Sequence, residues 1–110
     1  MSNIVDVELA LQRAAGRREL AQELHGMLLG SMDETRRAIE ASWQSGDHNQ
    51  LYVHVHKLNG STRYCGVPHL ERCCEELEKQ LRVGDDTVQD AYHQLINAID
   101  ALEQTPADFS

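Results

Sequence analysis

Proline is scarce, with only Pro68 and Pro106 in 110 residues. With so few breakers, and with no alternating run of β-branched residues, long helices joined by short turns are the economical reading. Long apolar runs are missing too, so no segment is expected to span a bilayer or to make direct membrane contact. The opening residues 1–6 lack a basic stretch followed by an apolar core, so no secretory signal is expected, and a cytoplasmic location follows. Cysteine is limited to three residues, an odd number, and Cys73 and Cys74 are adjacent. A disulfide framework is therefore not expected, and reduced thiols are. Positive charge is also short: 10 Lys and Arg stand against 18 Asp and Glu, for a net charge of -8. Binding to a phosphate backbone depends on Lys and Arg neutralisation, so nucleic acid is not an expected partner.

What is present suits one domain over residues 1–110, since 41% hydrophobic and 25% charged residues are ordinary for a globular chain of this length. Asp6 to Ala14 reads as a short first helix, within about residues 6–15, with Val7, Leu11 and Ala14 on one side and Gly16 as its stop. A long helix is expected from Arg17 to about Trp43, its buried stripe running through Leu20, Leu24, Met27, Leu28, Ser31, Thr35, Ala38 and Ile39. Gly26 and Gly30 weaken that helix, so packing is expected to offset them. Asp47 can cap a third helix reaching about Tyr64 through Leu51, Val55, Leu58 and Thr62. Gly66 then offers a stop, and Pro68 suits the first turn of a helix with Leu70, Cys73, Cys74, Leu77 and Leu81 on one face. Gly84 closes it, and Asp85 or Asp86 is the expected cap of a last helix carrying Val88, Ala91, Leu95, Ile99 and Leu102. Residues 105–110 read as a frayed tail. Four amphipathic helices over about residues 17–104 pack most simply as an all-α, antiparallel up-down-up-down bundle, with the short first helix capping it.

The third helix separates its side chains sharply. With Leu51 at zero on a helical wheel, Val55, Leu58, Thr62 and Cys65 fall within about 40° of it and face the core. His56 falls at about 140°, Gly60 at about 180° and Arg63 at about 120°, together on the solvent face, while His54 at about -60° borders the core. A mid-helix glycine costs about 0.8–1.0 kcal/mol relative to alanine, so an exposed Gly60 adds nothing to stability. Lacking a Cβ one turn beyond His56, and flanked by the small Ser61, it leaves room for another molecule to approach the imidazole. Lys57 and Arg63 can bring positive charge, and Asn59 can donate a hydrogen bond, so an anion is expected there.

The run His56-Lys57-Leu58-Asn59-Gly60-Ser61, followed by Gly66 and then Leu70, Cys73 or Cys74, Leu77 and Glu78, resembles the signature of histidine-containing phosphotransfer (HPt) domains. With Tyr64, Gly66, Val67 and Pro68 it looks most like the C-terminal HPt domain of BarA/GacS-type hybrid sensor kinases, and the likeness extends over nearly the whole chain. The resemblance implies a phosphorelay carrier: His56 takes a phosphoryl group from a receiver-domain aspartyl phosphate and passes it to the aspartate of a response-regulator receiver. It implies no ATP hydrolysis by this domain, no intrinsic cofactor, Mg²⁺ on the partner receiver, and a monomer as an isolated domain. Neutral imidazole is the nucleophile, with the exposed Nε2 as its attacking atom. Asn59 stands where the family commonly has Lys, which leaves the positive charge near the phosphate to Lys57 or Arg63.

Blander readings stand beside these. Lys57 and Arg63 serve equally as solvated charges, and Tyr52, Tyr64 and Trp43 as core margin or as docking surface, with partial exposure and partner contact expected of Tyr52 and Tyr64. His69 and Cys73 lie one turn apart and could be two metal ligands, but no further ligand has a recognisable spacing, so core packing accounts better for the cysteines and no metal is expected. An adaptor bundle and a small metal-binding bundle remain as alternatives to the phosphocarrier.

Overall fold

The computed structural model describes residues 3–84 and 86–109. Among these there are five helices and no strand: α1 (Val7–Arg13), α2 (Arg18–Gln44), α3 (His48–Thr62), α4 (Pro68–Val83) and α5 (Val88–Gln104). Helices α2 to α5 form the antiparallel bundle. Each packs on the next, and α2 closes the ring against α5 through Arg36, which pairs with Asp100 and Glu103. The apolar stripes meet in one core in which Met32, Ile39, Leu51, Leu77, Leu95 and Ile99 are shut off from water.

Local chemistry sets most of the helix ends. Asp47 accepts from the Gln50 amide at 3.0 Å and starts α3, Pro68 occupies the first turn of α4, and Gly84 ends α4 in the left-handed conformation at φ 72°. The start of α5 differs from expectation. Its cap position is Thr87, whose hydroxyl donates to Gln80 Oε1 on α4. Asp86 lies one residue too early to cap, and Asp85 falls outside the described residues.

With 27 residues α2 is about 40 Å long, which matches the 42 Å long axis of the domain, whereas α3 has only 15 residues. The first turns of α2 therefore project past the end of α3. This overhang gives a second, smaller core, made by Ala10 and Ala14 of α1, Ala21 of α2 and Phe109 of the tail. The described part of the tail, residues 105–109, is consequently not frayed. Phe109 is buried, its ring meets that of His25 edge-on at 5.5 Å, and its carbonyl accepts from Arg18. Met27, which the apolar pattern assigns to the buried stripe, is exposed, because it lies about 100° round the helix from its buried neighbour Leu28 and so points off the core face. Gly26 and Gly30 are exposed with open space around them, so no close packing offsets them.

Gly66 has a role beyond stopping a helix. A Cβ there would lie 2.0 Å from the Asp6 carbonyl oxygen and 2.7 Å from the Ala10 nitrogen. Only glycine lets α1 sit on the α3–α4 connection, where the Asp6 amide donates to the Gly66 carbonyl at 2.8 Å. The far end of the bundle is closed by Trp43, stacked on Tyr92 at 4.3 Å, which makes Trp43 core margin.

Candidate functional site

Both ends of α3 are held. Its N-terminus has the Asp47 cap, and its C-terminus receives Arg13 of α1: Nη1 donates to the Thr62 carbonyl at 3.0 Å and to the Cys65 carbonyl of the α3–α4 connection at 2.8 Å, while the guanidinium pairs with Glu71 of α4 at 2.7 Å. A cation at a helix C-terminus also meets the negative end of the helix dipole. The buried face, Leu51, Val55, Leu58 and Thr62, seats the helix in the core.

On this fixed helix the His56 side chain is 67% exposed, yet one side of its ring is tied to another helix. Nδ1 lies 2.5 Å from Oε1 of Glu78 on α4, a carboxylate that is itself buried, and the ring stacks in parallel on Tyr52 one turn earlier at 5.8 Å. Glu78 also accepts from Asn59 Nδ2 at 2.7 Å. A carboxylate only accepts, so in the neutral ring His56 Nδ1 carries the hydrogen and Nε2 the lone pair. A Cβ built at Gly60 meets nothing within 4 Å, so the approach to the ring is open there.

Other expected site residues scatter. Lys57 is exposed but lies along the groove between α2 and α3, with Glu34, Thr35 and His54, whereas His56 turns toward α4. Ser61 is exposed on the same groove, its hydroxyl directed at the Lys57 carbonyl at 3.3 Å. Arg63 is exposed at the C-cap of α3, and Tyr64 beyond it is exposed beside Met27 and Leu24. Tyr52 is half-buried under the His56 ring. Asn59 is a correction. It is buried, not offered to an external anion, because at about 80° on the wheel its side chain reaches the α3–α4 contact and both ends of its amide are engaged there.

Two residues escaped the sequence reading as site components. Glu78 stands in the family pattern quoted above without a role; it follows Cys74 by four and precedes Leu81 by three, so a carboxylate sits on the apolar stripe of α4, and that misplaced charge is the physical signal. Arg13 gave none, since its partners lie 49 to 58 residues away. The cysteines take no part. Cys65, Cys73 and Cys74 are buried free thiols, and burial pushes all three up, Cys74 furthest with nearby acids adding to the effect. His69 Nε2 and Cys73 Sγ are 4.0 Å apart, and among the described residues no group of three His, Cys, Asp or Glu side chains comes together to hold a metal.

The Hpt domain family model matches residues 23–105. The chain is an Hpt domain. This Hpt domain is 40% identical over 99 residues to the sensor histidine kinase GacS of Pseudomonas protegens, a match covering 90% of this chain and 11% of that protein. It is 33% identical over 106 residues to the signal transduction histidine-protein kinase BarA of Escherichia coli K12, covering 96% of this chain and again 11% of the relative. The chain thus spans about a tenth of the length of these kinases. Among solved structures it matches the HPT domain of a sensor hybrid histidine kinase from Shewanella with a TM-score of 0.84 and 29% identity, over 91% of this chain and 87% of the other. Histidine-containing phosphotransfer protein B of Pseudomonas aeruginosa PAO1 shares the fold, with a TM-score of 0.76 at 19% identity over 94% and 90% of the two chains. The Hpt domain is a phosphorelay phosphocarrier of two-component signalling. No described helix is long and apolar enough to cross a membrane.

Proposed function

We propose that His56 is the phosphoacceptor of this Hpt domain, taking the group from the aspartyl phosphate of one receiver domain and giving it to the aspartate of another. The observation that carries this reading is the divided imidazole: Nδ1 is held by Glu78 while the rest of an exposed ring stands beside open Gly60. The Nε2 lone pair attacks phosphorus. The N–P bond forms as the P–O bond to the receiver aspartate breaks, and the aspartate leaves as a carboxylate. The ring then carries positive charge, which the Glu78 carboxylate offsets through the Nδ1–H bond, so no proton need enter or leave in either direction. The second receiver reverses the step.

Phosphoryl transfer depends mainly on positioning and charge stabilisation. In this division of labour the domain supplies a positioned nucleophile, and the receiver supplies Mg²⁺ and its own lysine. Lys57 and Arg63 are the cations of α3 and its end nearest in sequence to the acceptor, and the apolar surface of exposed Met27 and Tyr64, beside half-buried Leu24, is the docking face for the receiver. A longer kinase of the GacS and BarA kind, with this domain on the cytoplasmic side, is the arrangement in which such a carrier works.

His56→Gln tests the assignment, because it exchanges an exposed side chain at little packing cost. Incubated with a radiolabelled phosphoreceiver, the variant should take up no label while keeping wild-type helicity, and His54→Gln should label normally. Label retained by the His56 variant removes the assignment.

A further inference from the structure

Glu78 is a buried carboxylate with two oxygens to satisfy, and His56 occupies only one of them. The other, Oε2, accepts from Asn59 Nδ2 at 2.7 Å within the protein interior. Asn59 is fixed in turn by Thr62, a residue with no exposed surface, whose hydroxyl donates to the Asn59 carbonyl at 2.6 Å and lies 3.3 Å from its Oδ1. The acceptor-only carboxylate sets the amide orientation, nitrogen toward Glu78, which leaves Oδ1 beside the Thr62 hydroxyl. An unbroken chain therefore runs from the core to the exposed ring, Thr62 to Asn59 to Glu78 to His56.

We propose that Asn59 is a positioning residue for the phosphoacceptor, clamping Glu78 so that the carboxylate holds Nδ1–H of His56 and leaves Nε2 as the free nitrogen. The proposal rests on His56 being the acceptor and adds what keeps it in the competent tautomer. Without Asn59, Oε2 is a buried charged acceptor lacking its partner, and a carboxylate in that condition turns toward water or takes up a proton. Either response weakens the hold on Nδ1–H. A neutral amide suits this position: it satisfies Oε2 without bringing a positive charge, so the carboxylate's charge remains directed at the imidazole.

The test uses the full 110-residue chain with its histidines labelled with 15N. In long-range 1H–15N correlation spectra the wild type should show His56 protonated on Nδ1, and Asn59→Leu should move the two ring nitrogens toward an averaged pair of tautomers. Single-turnover transfer from a phosphorylated receiver should fall about tenfold, the size expected for a lost hydrogen bond to a charged group. Glu78→Leu should do the same, and the double variant should be no slower than Glu78→Leu alone, because Asn59 acts only through Glu78. If Asn59→Leu does not fold, Thr62→Val carries the same expectation from one link further back, with smaller shifts. A folded variant whose His56 ring signals are unchanged, a changed ring with an unchanged transfer rate, or losses that add in the double variant would each overturn the proposal. The ring signals need no phosphoryl group, so this outcome is separate from that of His56→Gln, which decides the acceptor.

Discussion

Gly66→Ala isolates the close approach that seats α1. The new Cβ would start 2.0 Å from the Asp6 carbonyl oxygen, whereas ordinary contact begins at 3.4 Å, so the two backbones must separate by about 1.4 Å. The nearest atoms, Asp6 O and Ala10 N, belong to main chain and cannot turn aside as a side-chain tip would. Separation stretches the 2.8 Å bond from the Asp6 amide to the Gly66 carbonyl and disturbs the seat of Ala10 and Ala14 in the smaller core. Overpacking costs about 1–3 kcal/mol and a lost hydrogen bond about 1, so the expected loss is about 3 kcal/mol. For a domain of this size that lowers Tm by roughly 12 °C. Two other glycines calibrate the result in the same thermal melts. Gly84→Ala places a Cβ in open space but at φ 72°, for a loss of about 1 kcal/mol, and Gly60→Ala, helical and open, should gain up to about 1 kcal/mol. Hydrogen exchange should show the α1 amides losing protection in Gly66→Ala while those of the α2–α5 core keep theirs. A Tm within about 3 °C of wild type, or a smaller loss than that of Gly84→Ala, would refute the close-approach argument.

Three further outcomes are expected. Gly60→Leu should fold normally but transfer at least about tenfold more slowly in single-turnover assays, since it fills the open space one turn from His56; an unchanged rate contradicts the access argument. His25 is buried without a hydrogen-bond partner, and burial pushes its pKa below 6.5, so the unfolded chain takes up the proton first. Stability should therefore fall as pH drops from about 6.5 toward the depressed value, by up to about 1.36 kcal/mol per pH unit, and His25→Phe should remove that part of the slope in urea titrations; equal slopes would count against it. Arg13→Leu should destabilise by about 2–4 kcal/mol in urea, because the Thr62 and Cys65 carbonyls and Glu71 lose their donor together, whereas Glu71→Gln should cost less since Arg13 keeps its two carbonyl bonds; equal losses would contradict the capping role.

The bundle was readable because its determinants are local. Asp47, Pro68 and Gly84 act within a turn of where they stand, and the wheel placed His56 and Gly60 on the open face from α-helical geometry alone. Errors came where a second element decides. Asn59 lies on the boundary of the wheel, and only the position of α4 makes that boundary buried. Met27 sits at the edge of the α2 stripe, about 100° from Leu28, and only the placement of the neighbouring helices decides that this edge stays exposed. Residues 105–110 follow the end of the last helix and so read as a frayed tail, although Phe109, the chain's single phenylalanine, is a sign of burial. The same division holds within the site. Its nucleophile lies on α3 and was visible, whereas the group that orients the ring lies on α4, 22 residues on, and showed only as a letter of the family pattern and a charge on an apolar face, without a role.

That separation has a mechanical consequence. An imidazole oriented by its own helix would keep its tautomer however the bundle shifted, but His56 is oriented by Glu78 across the α3–α4 contact, so the free nitrogen stays fixed only while those helices stay in register. The anchors of α3 lie on different elements: the Asp47 cap at one end, and at the other Arg13 of α1, which grips the Thr62 carbonyl of α3 and Glu71 of α4 with a single guanidinium. Arg13 thus ties the acceptor helix to the helix that carries Glu78. The domain's net charge of -8 works against an incoming phosphoryl anion, and the carboxylate nearest the acceptor is turned into the protein, under Asn59, rather than out toward the anion. Burial of Glu78 lets one charge serve the ring at short range while presenting little of itself to the partner.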